Sequence, residues 1–274
     1  MTPLLSLAGM TKRFGGLPAV DRVDLDVPEG QILAVIGPNG AGKTTLLSLV
    51  AGALTPTACR RFTLAGQDLR GLPVHRIRRA GVGTLRQTPT RFLSMTVRED
   101  VAIGARFGGR VPLGHGQALA AADRAVTEAG LAARSDDPVT SLTLHQARLL
   151  GLARALAGDP KLLLLDEPLA GLSSGELEEA LAVLRRLRDE RGVTIVWVEH
   201  VMPAVDALAD RVVVMDVGRI LADGAPASVR RDPAVIAAYL GAPDAGASAA
   251  GGDAPGREDG GQGRPEGGSR AAGT

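Results

Sequence analysis

Short apolar stretches separated by turn signals open the chain. Between residues 4 and 36 they alternate with Gly15-Gly16 and Pro28-Glu29-Gly30, the pattern of an antiparallel β-layer. The last of them, Gln31-Ile32-Leu33-Ala34-Val35-Ile36, reads as a buried strand, and Thr44 to Leu54, with Leu46, Leu47, Leu49 and Val50, reads as the helix after it. A further β-like stretch runs from Arg61 to Gly66. From Thr96 to Ala157 the period becomes helical, with Leu119, Ala122, Val126 and Ala129 on one stripe and Leu149, Leu152, Ala153 and Leu156 on another. Lys161 to Leu165 and Val193 to Val198 are near-continuous apolar strands separated by a helix rich in Leu and Arg, as in a parallel sheet covered on both faces. Val212 to Met215, Gly218 and Arg219 to Ala222 predict a closing hairpin, followed by a short helix around Ala234 to Leu240. The expected fold is α/β, with a mixed or parallel core sheet, an N-terminal antiparallel β-layer and a helical subdomain inserted at about 88–157. One domain is expected over 4–241. Residues 242–274 contain no Val, Ile, Leu, Met or aromatic residue, cannot bury enough apolar surface to offset their ordering entropy, and are expected to be disordered.

Composition narrows the picture little. The 274 residues carry 31 basic and 30 acidic side chains, so no global charge favours nucleic acid or an anionic membrane, and no nucleic-acid partner is expected. The single cysteine, Cys59, excludes an intrachain disulfide and a cysteine zinc cluster, which fits a reducing, cytoplasmic setting. The N-terminus lacks the basic region of a secretion signal, and no aliphatic run approaches the roughly 20 residues that span a bilayer as a helix. Any membrane role is expected to be peripheral.

Chemistry enters with Gly37-Pro38-Asn39-Gly40-Ala41-Gly42-Lys43-Thr44, an ungapped match to G-x-x-x-x-G-K-[ST] placed between the buried strand and the helix. Glycines let successive N–H groups turn toward phosphate oxygens, and the helix N-terminus adds partial positive charge. Lys43 supplies a full charge to the β- and γ-phosphates, and the Thr44 hydroxyl suits Mg²⁺. Downstream, Leu162-Leu163-Leu164-Leu165-Asp166-Glu167-Pro168 ends an apolar strand in adjacent carboxylates: Asp166 to hold Mg²⁺, Glu167 to polarise an attacking water. Val198-Glu199-His200 ends another strand with an imidazole suited to a γ-phosphate, and Gln87 stands where it could touch metal or water.

Taken in order, these residues resemble the ATP-binding subunits of ABC transporters from about Leu5 to Gly241. The resemblance implies a P-loop ABC-type ATPase using ATP and Mg²⁺. It assigns Gly37 to Thr45, including Thr45 itself, as Walker A, Gln87 as Q-loop, and Leu142 to Gln146 as the signature. Asp166 and Glu167 become Walker B, Ala170 to Ser174 the D-loop, and His200 the H-loop. Phe14 falls where the family stacks an aromatic ring on adenine; packing in the core beside Val20 is the alternative. Phe14-Gly15-Gly16-Leu17-Pro18-Ala19-Val20, Val198-Glu199-His200-Val201-Met202, Asp232-Pro233 and Ala238-Tyr239-Leu240-Gly241 are most similar to branched-chain amino-acid importers. Implied partners are transmembrane permease subunits, a second ATP-binding subunit and an external substrate-binding protein, with this chain on the inner face of the membrane. Urea, amide or lipopolysaccharide systems carry similar subunits. A soluble, non-transport ATPase of the same family remains a second class, disfavoured by the single cassette and the lack of a long coiled coil or basic stripe.

One departure stands out. The usual Leu-Ser-Gly-Gly-Gln reads Leu142-Thr143-Leu144-His145-Gln146. Thr143 and Gln146 keep polar contacts available, but both glycines are lost where backbone N–H groups should approach a γ-phosphate. Because two such subunits sandwich two nucleotides in the family, a weakened half-site is expected, and a heterodimer with one strong and one weak site. Ala58-Cys59-Arg60-Arg61 replaces a common glycine turn; a solvated loop with a passive cysteine is expected there.

Overall fold

The computed structural model describes residues 3–87 and 90–240; the first two residues of the expected insert and the whole of the expected tail, 242–274, lie outside the described residues. Two sheets carry the fold. β1 (Leu5–Phe14) and β2 (Leu17–Val27) form an antiparallel hairpin, and β4 (Arg61–Leu64) and β5 (Gln67–Asp68) extend it in the order β2-β1-β4-β5. Alternation sets its faces: Val23, Leu25 and Val27 of β2 point inward, while Asp24 and Asp26 stay exposed.

The second sheet has the order β10-β9-β3-β8-β7-β6. β3 (Ile32–Ile36) lies at its middle, parallel to β8 (Thr194–Val198) and β9 (Arg211–Asp216). β7 (Leu162–Asp166) and β6 (Val82–Leu85) continue the parallel set, and β10 (Arg219–Gly224) closes the far edge antiparallel to β9. Successive residues of β3 serve opposite cores. Leu33 and Val35 pack with Leu46 and Leu49 of α1 (Lys43–Val50) and with Leu7 and Phe62 of the β-layer. Ile32, Ala34 and Ile36 pack with Trp197 and with the helices on the other side. A strand buried on both faces must be apolar throughout, which is why it carries no alternation.

The helical insert consists of α3 (Val97–Gly108), α4 (His115–Glu128) and α5 (Leu144–Leu156). Thr96 and Glu99 close a capping box at the start of α3, and the fully buried Asp100 pairs with Arg154 of α5 at 2.9 Å, tying the two helices together. α6 (Ser174–Arg191) leads from β7 to β8, and α9 (Pro233–Leu240) follows the hairpin. The expected helix 44–54 is shorter than its apolar pattern: it ends at Val50, where the amides of Ala53 and Leu54 turn back to the Ser48 carbonyl at 2.9 and 3.1 Å. Three short helices lacked a sequence signal, α2 (Val74–Arg79), α7 (Met202–Leu208) and α8 (Pro226–Val229). Each has a proline at or beside its start, which reads as a break along the sequence but fits the first turn of a helix.

Candidate functional site

The carboxyl ends of β3, β7 and β8 meet at one edge of the core sheet, the place where open α/β sheets bind ligands. The loop 37–42 leaves β3 there under tight backbone packing. Gly37 has a φ of 144°, and a Cβ on it would lie 2.1 Å from the Met215 carbonyl oxygen; Gly42, with a φ of 100°, would place a Cβ 2.2 Å from the Ala19 oxygen. No side chain can stand at either position without moving the loop. The Ala41 carbonyl accepts the Gly218 N–H at 3.0 Å, so the β2 start and the β9–β10 turn clamp the loop from two sides.

α1 begins at once, with Gly42 as its N-cap, no side-chain cap and no acidic residue in its first turn. Its leading N–H groups therefore face a cleft of about 200 Å³ lined by Ala19, Asn39, Gly40, Gly42, Lys43, Thr44, Thr45 and Glu167. The Lys43 ammonium donates to the Gly37 and Pro38 carbonyls at 2.7 and 2.9 Å. Burial pushes its pKa down, against the pull of the Glu167 and Asp166 carboxylates.

The strand-end residues converge on this cleft. The Thr44 hydroxyl donates to Asp166 Oδ1 at 3.1 Å. Burial holds the Asp166 carboxyl above its ordinary range, opposed by that hydroxyl and reinforced by the charge of Glu167. Gln87 Nε2 donates to Glu167 Oε2 at 2.7 Å, and His200 Nδ1 stands 4.0 Å from Glu167 Oε1. Glu167 itself takes a positive φ of 49°, a conformation uncommon outside glycine, while its N–H is held by the Val198 carbonyl.

Phe14 is 51% exposed at the tip of the β1–β2 hairpin, with Lys12 Nζ 5.3 Å from its ring centroid. The core alternative for this ring is therefore overturned. Thr143 and Gln146 do not line the phosphate cleft and bond to each other: the Thr143 hydroxyl accepts the Gln146 N–H at 3.2 Å, and Gln146 Oε1 accepts the Thr143 N–H at 3.0 Å. Arg134 also donates to Gln146 Oε1. Of the two residues in place of glycines, Leu144 is 63% exposed, whereas His145 is buried, with Nε2 turned toward Glu179 of α6 at 3.8 Å. The side-chain bulk at this corner is thus Leu144 alone. Cys59 is half-buried, its thiol pushed up by burial, and Arg60 and Arg61 are exposed, as expected of a solvated loop.

Two residues had no role in the sequence reading. The buried Glu199 accepts three backbone N–H groups behind the site, and Arg148 of α5 donates to the Ala170 carbonyl. A carboxylate ending an apolar strand was the visible signal for Glu199; its partners are set by tertiary packing.

A profile described as ABC transporter matches residues 20–170, and one described as branched-chain amino acid ATP-binding cassette transporter matches residues 219–245. The Pseudomonas aeruginosa protein named high-affinity branched-chain amino acid transport ATP-binding protein BraF is 37% identical over 251 residues, covering 87% of this chain and 98% of that protein. The Escherichia coli counterpart LivG is 38% identical with the same coverage. A Streptomyces avermitilis Fe(3+) ions import ATP-binding protein is 40% identical over 244 residues, covering 87% of this chain and 68% of its own. Among solved structures, a nucleotide-free ATP-binding cassette from an ABC transporter superposes with a TM-score of 0.80 at 27% identity, over 87% of this chain and 99% of that one. The ADP conformation of an ATP-binding cassette of an ABC transporter gives 0.79 at 27%, over 88% and 100%. A profile spanning more than half of the chain, laid over a phosphate loop and two strand-end acids in one cleft, leads to one conclusion: the chain belongs to the ABC transporter family, as one of its ATP-hydrolysing cassettes.

Proposed function

We propose that this chain powers an importer of branched-chain amino acids by binding and hydrolysing ATP. The observation that carries the hydrolytic part is the convergence of Lys43, Thr44, Asp166, Glu167, Gln87 and His200 on one cleft beneath an uncapped helix. Residues Gly37 to Thr45 hold the triphosphate, with Lys43 exchanging the loop carbonyls for phosphate oxygens. Phe14, exposed at the hairpin tip, stacks on the adenine.

The residues present fit Mg²⁺. Thr44 Oγ1 and Asp166 Oδ1 are hard oxygen donors 3.1 Å apart, and Mg²⁺ needs only one or two such ligands beside phosphate oxygens and water; Gln87, bonded to the adjacent Glu167, would be a third. When bound, the ion neutralises charge on the phosphates. Glu167 accepts the proton of the attacking water, Gln87 holds the Glu167 carboxylate in place, and the His200 side chain donates to the γ-phosphate.

Transport requires a membrane partner, since no helix among the described residues is long and apolar enough to cross a bilayer. A groove of about 470 Å³ between the β6 edge and the helical insert, lined by Arg78, Arg86, Arg154, Val74 and Phe107, suits a cytoplasmic loop of a permease. On this reading the chain works in the cytoplasm, on the inner face of the membrane, with an external binding protein in the assembled system. The ATP-binding domain spans 4–241, the insert 88–157, and the tail follows. The match over residues 219–245 supports amino acids as cargo, while the 40% identity to a ferric-ion system supports the view that the cassette core does not read cargo. Loss of both signature glycines favours a heterodimer, in which a second ATP-binding subunit faces this chain's phosphate loop.

Glu167→Gln tests the hydrolytic assignment. Turnover is expected to fall by about 10²- to 10⁴-fold while ATP stays bound, read by phosphate release and retained nucleotide. Unchanged turnover would remove Glu167 as the base.

A further inference from the structure

We propose that Glu199 is a positioning residue for hydrolysis, holding the Glu167 loop and His200 in one frame. It follows β8 directly and is 1% exposed. Its Oε1 accepts the Leu169 N–H at 3.0 Å, and its Oε2 accepts the N–H groups of His200 at 3.0 Å and Val201 at 3.2 Å. Its own N–H donates to the Val35 carbonyl at 3.4 Å, two residues before Gly37. One side chain thus joins the segment two residues past Glu167 to the segment bearing the histidine, while its backbone leans on the strand that feeds the phosphate loop.

The chemistry of the side chain matters here. Burying a carboxylate is costly unless its oxygens are satisfied, and here backbone N–H groups from two separate segments satisfy it. A glutamine of the same shape has one acceptor oxygen; its NH₂ would face an N–H donor and release either Leu169 or the His200–Val201 pair. Only a carboxylate holds both. The 4.0 Å separation of His200 Nδ1 from Glu167 Oε1 is then set from behind by a group that is itself buried. Displacing a reacting group by about 1 Å can cost on the order of 10²-fold in rate, so loss of one arm should be felt in turnover and not in binding.

The inference rests on the assignment of Glu167 and His200 to hydrolysis, and its test keeps the two apart. In the full chain, with a second ATP-binding subunit present, Glu199→Gln is expected to lower kcat on the order of 10- to 100-fold with KM for ATP unchanged. Amide exchange should accelerate at Leu169 or at His200 and Val201, but not in residues 37–45. Added to His200→Ala, the substitution should bring a smaller loss than it does in the wild-type background, because part of its effect runs through His200. Wild-type kcat, or losses that multiply in the double variant, would overturn the clamp. If Glu199→Gln fails to fold, Glu199→Asp takes its place in the same cycle, since its shorter carboxylate cannot span both segments, and multiplying losses there overturn the proposal equally. A Glu167→Gln control that loses turnover while Glu199→Gln does not counts against the clamp alone; a control that keeps turnover counts against the hydrolytic assignment.

Discussion

The N-termini of α1 and α5 are built in opposite ways. α1 starts from a left-handed Gly42 with no side-chain cap and no acid in its first turn, so its N–H groups are left for a ligand. α5 starts from Thr143 and Gln146, which cap each other, and Arg134 braces the glutamine. Glycine permits the close approach at α1, whereas Leu144 stands exposed over α5. A helix N-terminus therefore becomes a phosphate site only when the chain leaves it uncapped and unobstructed. On the proposed reading, the α1 terminus is a complete half-site and the α5 terminus a weakened one.

The contrast can be broken from either side. Gly42→Ala should have the largest effect, because the new Cβ falls 2.2 Å from the Ala19 carbonyl and forces the loop to move. Turnover is expected to drop on the order of 10²-fold, with about 1–3 kcal/mol of stability lost, read by phosphate release and thermal unfolding. Restoring glycine at the exposed position with Leu144→Gly should act in the other direction. Turnover of the chain without a partner is expected to rise about tenfold as donor N–H groups regain access, at a cost of about 1 kcal/mol of helix stability. An unchanged rate would mean that the side chain at this corner does not limit hydrolysis.

The smallest effect concerns Asp166. Burial raises its pKa above the ordinary 3.8, so the fold favours its neutral form. That contribution is fully present below the unfolded pKa and is lost as pH rises through the raised folded value. Asp166→Asn should therefore unfold at a slightly higher temperature than wild type near neutral pH without nucleotide. The gap should close toward acid, while Mg²⁺-dependent turnover disappears. A gap that widens toward acid would reverse the assigned sign.

Local sequence carried most of the site. A glycine loop between an apolar strand and a helix, and acids at the ends of apolar strands, are contiguous signals, and the residues 37–45, Asp166 and Glu167 were readable from them. Gln87 and His200 became visible by their order along the chain and then met Glu167 in space. The inward turn of His145 was not legible, because it depends on α6 packing beside α5. Nor were the partners of Glu199, which lie 30 residues upstream at Leu169 and next door in backbone amides. Phe14 reads from the sequence as a ring for stacking on adenine, with the core beside Val20 as the alternative, and its exposure at the hairpin tip decides against the core. In the fold, the strands buried on both faces announced themselves, whereas short helices opening on proline did not.

The central claim is that this phosphate loop works against a partner's glycine signature. Its most direct test is the ATP turnover of the purified full-length chain, first alone and then with a second ATP-binding subunit bearing an intact Leu-Ser-Gly-Gly-Gln. Turnover is expected to be slow alone and strongly stimulated by the partner, and Glu167→Gln in this chain should abolish the stimulation. Robust turnover by the chain alone, with no gain from the partner, would contradict it.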